Sequence, residues 1–261
     1  MSFIIFFKKE LVELVKTVKG IVLTIIFLFI GISSPLIAKL MPEILKMAAS
    51  DAETQEVMDA LAALMPPPNS IESYTQFFSN FNQIGLLAVI IVFAGIIANE
   101  KAKNTAAYIL TKNISRTQFV LSKFASAVLF TFVSVILTAG VLKIYTDLLF
   151  GDKLIDFKYF IIFFALLLLY LFFILAIILF SSIVSKNITS AMLISFLIFI
   201  VFNIATAIPK IGKYMPPDIN NLGVILQSVK VEDLTANIII TVLCSLTFII
   251  GGIMLFNRQE L

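Results

Sequence analysis

Charge-free and charged stretches alternate along this chain. Six runs carry no Asp, Glu, Lys or Arg: Gly20–Ala38, Ser73–Asn99, Phe124–Leu142, Tyr159–Ser185, Asn187–Pro209 and Leu234–Asn257, each 19 to 27 residues long. A helix of about 20 apolar residues crosses a bilayer core. Within lipid, only a helix or a closed barrel satisfies every backbone polar group. The runs do not alternate apolar with polar residues, so they predict helices. The expected fold class is an all-α membrane protein with six transmembrane helices. Spans are expected at about 20–40, 80–99, 122–143, 159–185, 187–208 and 234–257, in one transmembrane domain over 1–261. The stretches between them are too short for a soluble domain.

The connecting segments have patterns of their own. Over 3–18, Ile4, Phe7, Leu11, Leu14, Val15 and Val18 share one helical face, and Lys9, Glu10, Glu13 and Lys16 another. That predicts an amphipathic helix on the inner membrane surface, although a plain extension of the first span also fits. Pro35 is expected to kink or tilt the outer end of that span, which ends near it. In the external segment 41–73, Ser50 and Glu53 form a capping box, Val57, Leu61 and Leu64 an apolar face, and Pro66–Pro68 a stop. In the inner loop, Glu100–Leu110 is expected to be helical with Asn99 as N-cap. Thr111–Ile114 should turn, and Ser115 with Gln118 should form the capping box that starts the third span. The external segment 209–233 is broken at Pro216 and Pro217, with Asn221–Val229 as a short interfacial helix.

Charge orients the spans. With the N-terminus inside, the inner segments carry eleven basic and four acidic residues, and the outer ones eight basic and twelve acidic. Excess Lys and Arg mark the cytoplasmic side, so both termini are expected to be cytoplasmic. The net charge of +3 therefore reports topology and not nucleic-acid binding. Phe3–Phe7 is too short for the apolar core of a secretory signal, so insertion is expected to use the spans themselves. Lysine outnumbers arginine 17 to 2, a bias of AT-rich bacterial genomes. The expected location is a bacterial cytoplasmic membrane, as a multi-pass protein.

The chemistry is sparse. His is absent, and Cys244 is the single cysteine, which reads as a small apolar packing residue. The Gly212–Lys213 pair has Ala207 and Tyr214 where a phosphate-binding loop needs Gly and Ser or Thr. No span holds an acidic pair or a mid-membrane ionisable group, which disfavours an aspartyl protease and an ion-coupled carrier. The chain is expected to be no enzyme and to hold no catalytic, cofactor-binding or metal-binding residue. Ser126, Ser134 and Thr138 lie on or near one stripe of the third span, and Asn203 and Thr206 sit deep in the fifth. Such residues hold helices together; Ser134, Thr138, Asn203 and Thr206 are also the candidates for lining a pathway.

The inner loop reads Glu100-Lys-Ala-Lys-Asn-Thr105, Ile109-Leu-Thr-Lys-Asn-Ile-Ser-Arg116 and Phe119-Val-Leu-Ser-Lys123, phrases that resemble the type-2 ATP-binding-cassette permease family. Lys9-Glu-Leu, Ser34-Pro-Leu-Ile-Ala-Lys39 and Phe256-Asn-Arg-Gln-Glu-Leu261 agree with it, as does the layout of the whole chain. Asn113 stands where the family usually has proline, and asparagine also suits a turn. The resemblance implies the permease subunit of an ATP-driven exporter, paired with a second permease (a homodimer or a sister chain) in the lipid bilayer. It implies cytoplasmic ATPase subunits that bind ATP and magnesium, none of which this chain would hold. The segment 100–116 would be the coupling segment, with Glu100–Lys112 in the role of coupling helix, Thr105, Tyr108, Ile109 and Lys112 as ATPase-coupling candidates and Glu100 and Arg116 as polar anchors. The alternatives are a membrane interaction or immunity protein of the same fold that needs no ATPase, and a secondary carrier.

Overall fold

The computed structural model describes residues 3–47, 68–111, 114–152, 154–208, 210–221 and 235–259. These residues are helical, with no strand among them. The helices are α1 (Phe3–Lys16), α2 (Val18–Met47), α3 (Ser70–Asn80), α4 (Leu86–Phe93), α5 (Ala98–Ala102), α6 (Thr105–Leu110), α7 (Arg116–Phe150), α8 (Phe157–Val184), α9 (Ile188–Thr206), α10 (Asp218–Asn221) and α11 (Thr235–Arg258). Six stretches are long and apolar enough to span a membrane: Val18–Ile44, Ser70–Ala102, Arg116–Phe150, Phe157–Val184, Ile188–Thr206 and Thr235–Arg258. The protein is a multi-pass, all-α membrane protein.

Several helices outrun the charge-free runs that announced them. At a rise of about 1.5 Å per residue, α7 is far longer than a bilayer core is thick. Its extra turns carry charges that are satisfied locally, such as the Lys143–Asp147 pair at 3.1 Å. Ser115 accepts from the Gln118 backbone N–H and Gln118 reaches back, the expected capping box. Gly151, at φ 66°, ends the same helix in the left-handed conformation that glycine adopts without strain.

Two local expectations change. Pro35 does not end the first span, because α2 continues through both Pro35 and Pro42 to Met47. The turn before it is tightened by the Ser34 hydroxyl, which donates to the Ile30 carbonyl at 2.6 Å, and Asn80 of α3 in turn donates to Ser34 at 3.1 Å. The second span is not one regular helix. A π-helical turn over Phe81–Gly85 separates α3 from α4, and irregular turns over residues 94–97 separate α4 from α5. The helix expected in the first external segment, and the part of the second beyond Asn221, lie outside the described residues.

α8 is the central post. Its buried residues run from Phe163 to Ile183 around the whole circumference, as expected of a helix apolar on every side. α4, α7, α9 and α11 pack against it. Phenylalanines fill the joints: Phe77 meets Phe164 at 5.8 Å and Phe81 meets Phe27 at 4.9 Å. α2 lies against α7 and α3, and α1 lies across the start of α7. Three residues, Ser185 to Asn187, join α8 to α9, and Asn187 with Ser190 caps the new helix. α9 is the barest span, with Ala191 and Ser195 its buried residues.

Candidate functional site

The inner loop between the second and third spans carries the densest polar contacts. It is not the single helix expected over Glu100–Leu110. Asn104 stands at φ 56°, ψ 12° and breaks it into α5 and α6. Asparagine tolerates this left-handed conformation better than most residues. Asn99, expected as an N-cap, lies inside α5 instead. Asn104 therefore turns the chain between α5, at the end of the second span, and the short helix α6.

Three charged side chains tie this loop to the bundle. The Lys123 ammonium of α7 is 2.7 Å from Glu10 of α1 and 2.7 Å from Glu100 of α5. Lys123 is only 4% exposed and Glu10 only 7%. Glu10 was expected on the solvated face of α1, and burial here corrects that. The same turn places Phe6 in the core, while Ile4, Ile5, Val12 and Val15 are exposed, so α1 has an inward edge and an apolar outer edge. Lys123 also sits 5.5 Å from the Phe119 ring and 5.8 Å from that of Phe6, which adds cation–π attraction. Lys9 flanks the cluster, 3.3 Å from Glu10 and 3.5 Å from Glu13. Burial pushes its ammonium down, but the two carboxylates outweigh that and hold it above its usual value. Glu10, Glu13, Glu100 and Lys123 line a small cavity of about 210 Å³.

Hydrogen bonds lock the rest of the loop. The irregular turns before α5 leave the Ile97 and Ala98 N–H groups without helical acceptors. Both donate to the buried Ser182 hydroxyl of α8, at 3.0 and 2.9 Å. Lys101 donates to the Ile183 carbonyl at 2.5 Å, and Gln259 donates to the same carbonyl at 3.1 Å. Arg116 Nη1 donates to the carbonyls of Phe256, Asn257 and Gln259 at 3.2, 3.1 and 2.5 Å. A cation at the end of α11 is favourable both for these carbonyls and for the helix dipole. Arg116 and Glu100 Oε1 thus have polar partners inside this chain, while Glu100 Oε2 is buried with none among the described residues.

On α6, Ala106 is buried and Ile109 and Leu110 pack against the core, so Ile109 turns inward. Tyr108 is 65% exposed, and Thr105 shares its open side while donating to the Glu100 carbonyl at 3.2 Å. Lys112 lies outside the described residues.

The four polar residues considered for a pathway do not share one space. Ser134 bonds Thr24 of α2 at 3.1 Å, and buried Thr138 faces Gly31 of the same helix. Asn203 and Thr206 lie on α9, where Asn203 donates to the Phe199 carbonyl at 2.8 Å and Thr206 to the Asn203 carbonyl at 2.6 Å. Sequence reasoning missed Ser182 and the Glu10–Lys123–Glu100 cluster. Lys123 was visible as a charge at the border of an apolar run, but its partners are far away in the chain.

Comparison with known proteins adds to this geometry. A family model described as ABC-2 family transporter protein matches residues 4–215. An uncharacterized transmembrane protein of Bacillus subtilis (strain 168), YxlG, is 28% identical over 145 residues, which cover 56% of this chain and 54% of the relative. The chain thus spans about half the length of that relative.

Proposed function

We propose that this chain, which belongs to the ABC-2 transporter family, is the membrane-spanning half of an ATP-driven exporter. Membership makes it a membrane transport permease. The finer reading adds a cytoplasmic ATPase subunit, a second permease and outward transport. Both termini then face the cytoplasm. In this reading ATP and magnesium bind the partner ATPase, and the chain itself moves and does no hydrolysis.

The mounting of α6 supports this reading most. A two-turn helix with an exposed tyrosine hangs at the inner end of the second span. Its flanks are tied to α1, α7, α8 and α11 by Lys123, Ser182, Lys101 and Arg116. A push on α6, which Ala106, Ile109 and Leu110 seat on the core, is passed to these four helices through its neighbours, as a rigid-body transition requires. Thr105 and Tyr108 carry the contact. Glu100 and Arg116 act one step behind it, as the fastening of the helix, and Ile109 seats it on the core. The passage runs beside α9, where Asn203 is exposed. The Ser134–Thr138 stripe holds α7 to α2.

The test is affinity capture of the tagged chain from native membranes in mild detergent, followed by mass spectrometry. A soluble ATPase recovered in near-equal amount, and lost when the open face of α6 is altered, is the expected result. Recovery of the chain alone while its cellular phenotype persists would favour an ATPase-independent membrane protein.

A further inference from the structure

At the opposite end of the bundle from α6, the ends of three spans enclose a cavity of about 380 Å³. Ser70 and Tyr74 of α3, Asp147 of α7, Asp152 after it, and Asp156 and Phe157 at the start of α8 line it, with Lys143 at its side. Its position follows from two helix ends. Gly151 turns the chain left-handed after α7, and this returns Asp152 to the start of α3, where Oδ2 accepts from the Ser70 N–H at 3.1 Å.

The hydrogen bonding of this cavity is incomplete. Asp152 Oδ1 is buried and has no hydrogen-bond partner among the described residues. Neither has the Oγ of Ser70, a residue 3% exposed that forms part of the same wall. Buried polar atoms are ordinarily paired, so both await a group that the described residues do not supply. Among the described residues three carboxylates face one ammonium here, and that ammonium, Lys143, is engaged with Asp147 at 3.1 Å. Among the described residues no three His, Cys, Asp or Glu side chains converge as a metal site needs. Tyr74 and Phe157 add aromatic surface, which attracts an organic cation. Lys143 already illustrates this mode of binding: its ammonium pairs with a carboxylate and lies 5.7 Å from the Phe160 ring.

We propose that this cavity binds a primary ammonium group, held by Asp152 and Asp156 between the Tyr74 and Phe157 rings, with Ser70 Oγ as a further acceptor. A primary ammonium supplies the N–H donors that Asp152 Oδ1 and Ser70 Oγ lack; a quaternary one does not. The volume suits a small amine or the amine end of a larger molecule. This inference does not rest on the exporter reading.

The test is calorimetric titration of the full chain in lipid nanodiscs with putrescine, with tetramethylammonium and calcium as comparisons. Saturable putrescine binding is expected, with tetramethylammonium weaker by about tenfold or more, the worth of a hydrogen bond between charged groups. Asp152→Asn keeps an acceptor for the Ser70 N–H, and Asp156→Asn changes an exposed residue. Each is expected to weaken putrescine by about tenfold. An Asp152→Asn chain with a lowered unfolding temperature leaves the decision to Asp156→Asn. No saturable putrescine binding, binding unchanged in Asp156→Asn, or calcium binding in place of putrescine would each overturn the proposal.

Discussion

Lys123 and Glu100 meet at 2.7 Å, and this contact joins the first turns of the third span to the end of the second. Glu10 completes the cluster from α1 at 2.7 Å. Taking charges out of water is costly, and removing one partner of a buried pair costs about 3–5 kcal/mol. Lys123→Met is therefore expected to lower the unfolding temperature in detergent sharply. Combining it with Glu10→Gln and Glu100→Gln is expected to recover much of the loss. A triple variant no more stable than the single one would mean that the charges themselves do not hold this junction.

Ser182 satisfies two backbone donors with one hydroxyl. Ser182→Ala leaves the Ile97 and Ala98 N–H groups unpaired in a buried site, at about 1–3 kcal/mol each. Thermal unfolding should show the loss, and hydrogen exchange should rise at residues 97–98 before it rises in α8. Unchanged exchange there would rule out the capping role.

Tyr108 contributes an open aromatic side chain to α6. Tyr108→Asp is expected to leave the unfolding temperature nearly unchanged and to weaken ATPase binding by about tenfold or more, as loss of an aromatic anchor does. Ala106→Asp, on the buried side of the same helix, should instead destabilise the chain itself. Equal ATPase binding by the Tyr108→Asp chain and its parent would remove α6 from the coupling role.

Gly31 lets α2 approach α7 closely. A Cβ there would stand 2.9 Å from Thr138 Cγ2, and overpacking of this kind costs about 1–3 kcal/mol. Gly31→Ala should lower stability, and adding Thr138→Ser should restore it by removing that methyl group while keeping the hydroxyl. Failure of the second change to rescue the first would place the strain elsewhere.

The sequence made the spans legible because lipid imposes one crude rule, and charge-free runs of the right length obey it. The Ser115–Gln118 capping box was legible too, since both its partners lie within one turn. Contacts between distant segments were not. Glu10 looks solvated from its neighbours alone, because the lysine that buries it arrives 113 residues later. Ser182 looks like one more small residue in an apolar helix until the irregular turns before α5 present two unpaired N–H groups to it. Asn104 reads as an ordinary helix-interior residue, and only the tertiary path of the loop makes it a swivel. Pro35 was expected to kink or tilt the end of its span, yet α2 runs on past it to Met47, packed against α3 and α7. The outer cavity was invisible for the same reason: Ser70, Asp147 and Phe157 belong to three different helices.

The three-residue link between α8 and α9 bears on how the two spans can move. A connection of Ser185, Lys186 and Asn187 cannot let the linked end of one span move far from that of the other, since three residues reach only about 10 Å. Once inserted, α8 and α9 therefore form one tight helical hairpin, with Lys186 at its tip. The most buried span and the barest one are thus direct neighbours in the chain and in the bundle. The hairpin gives the bundle its central post and sets α9 at its edge.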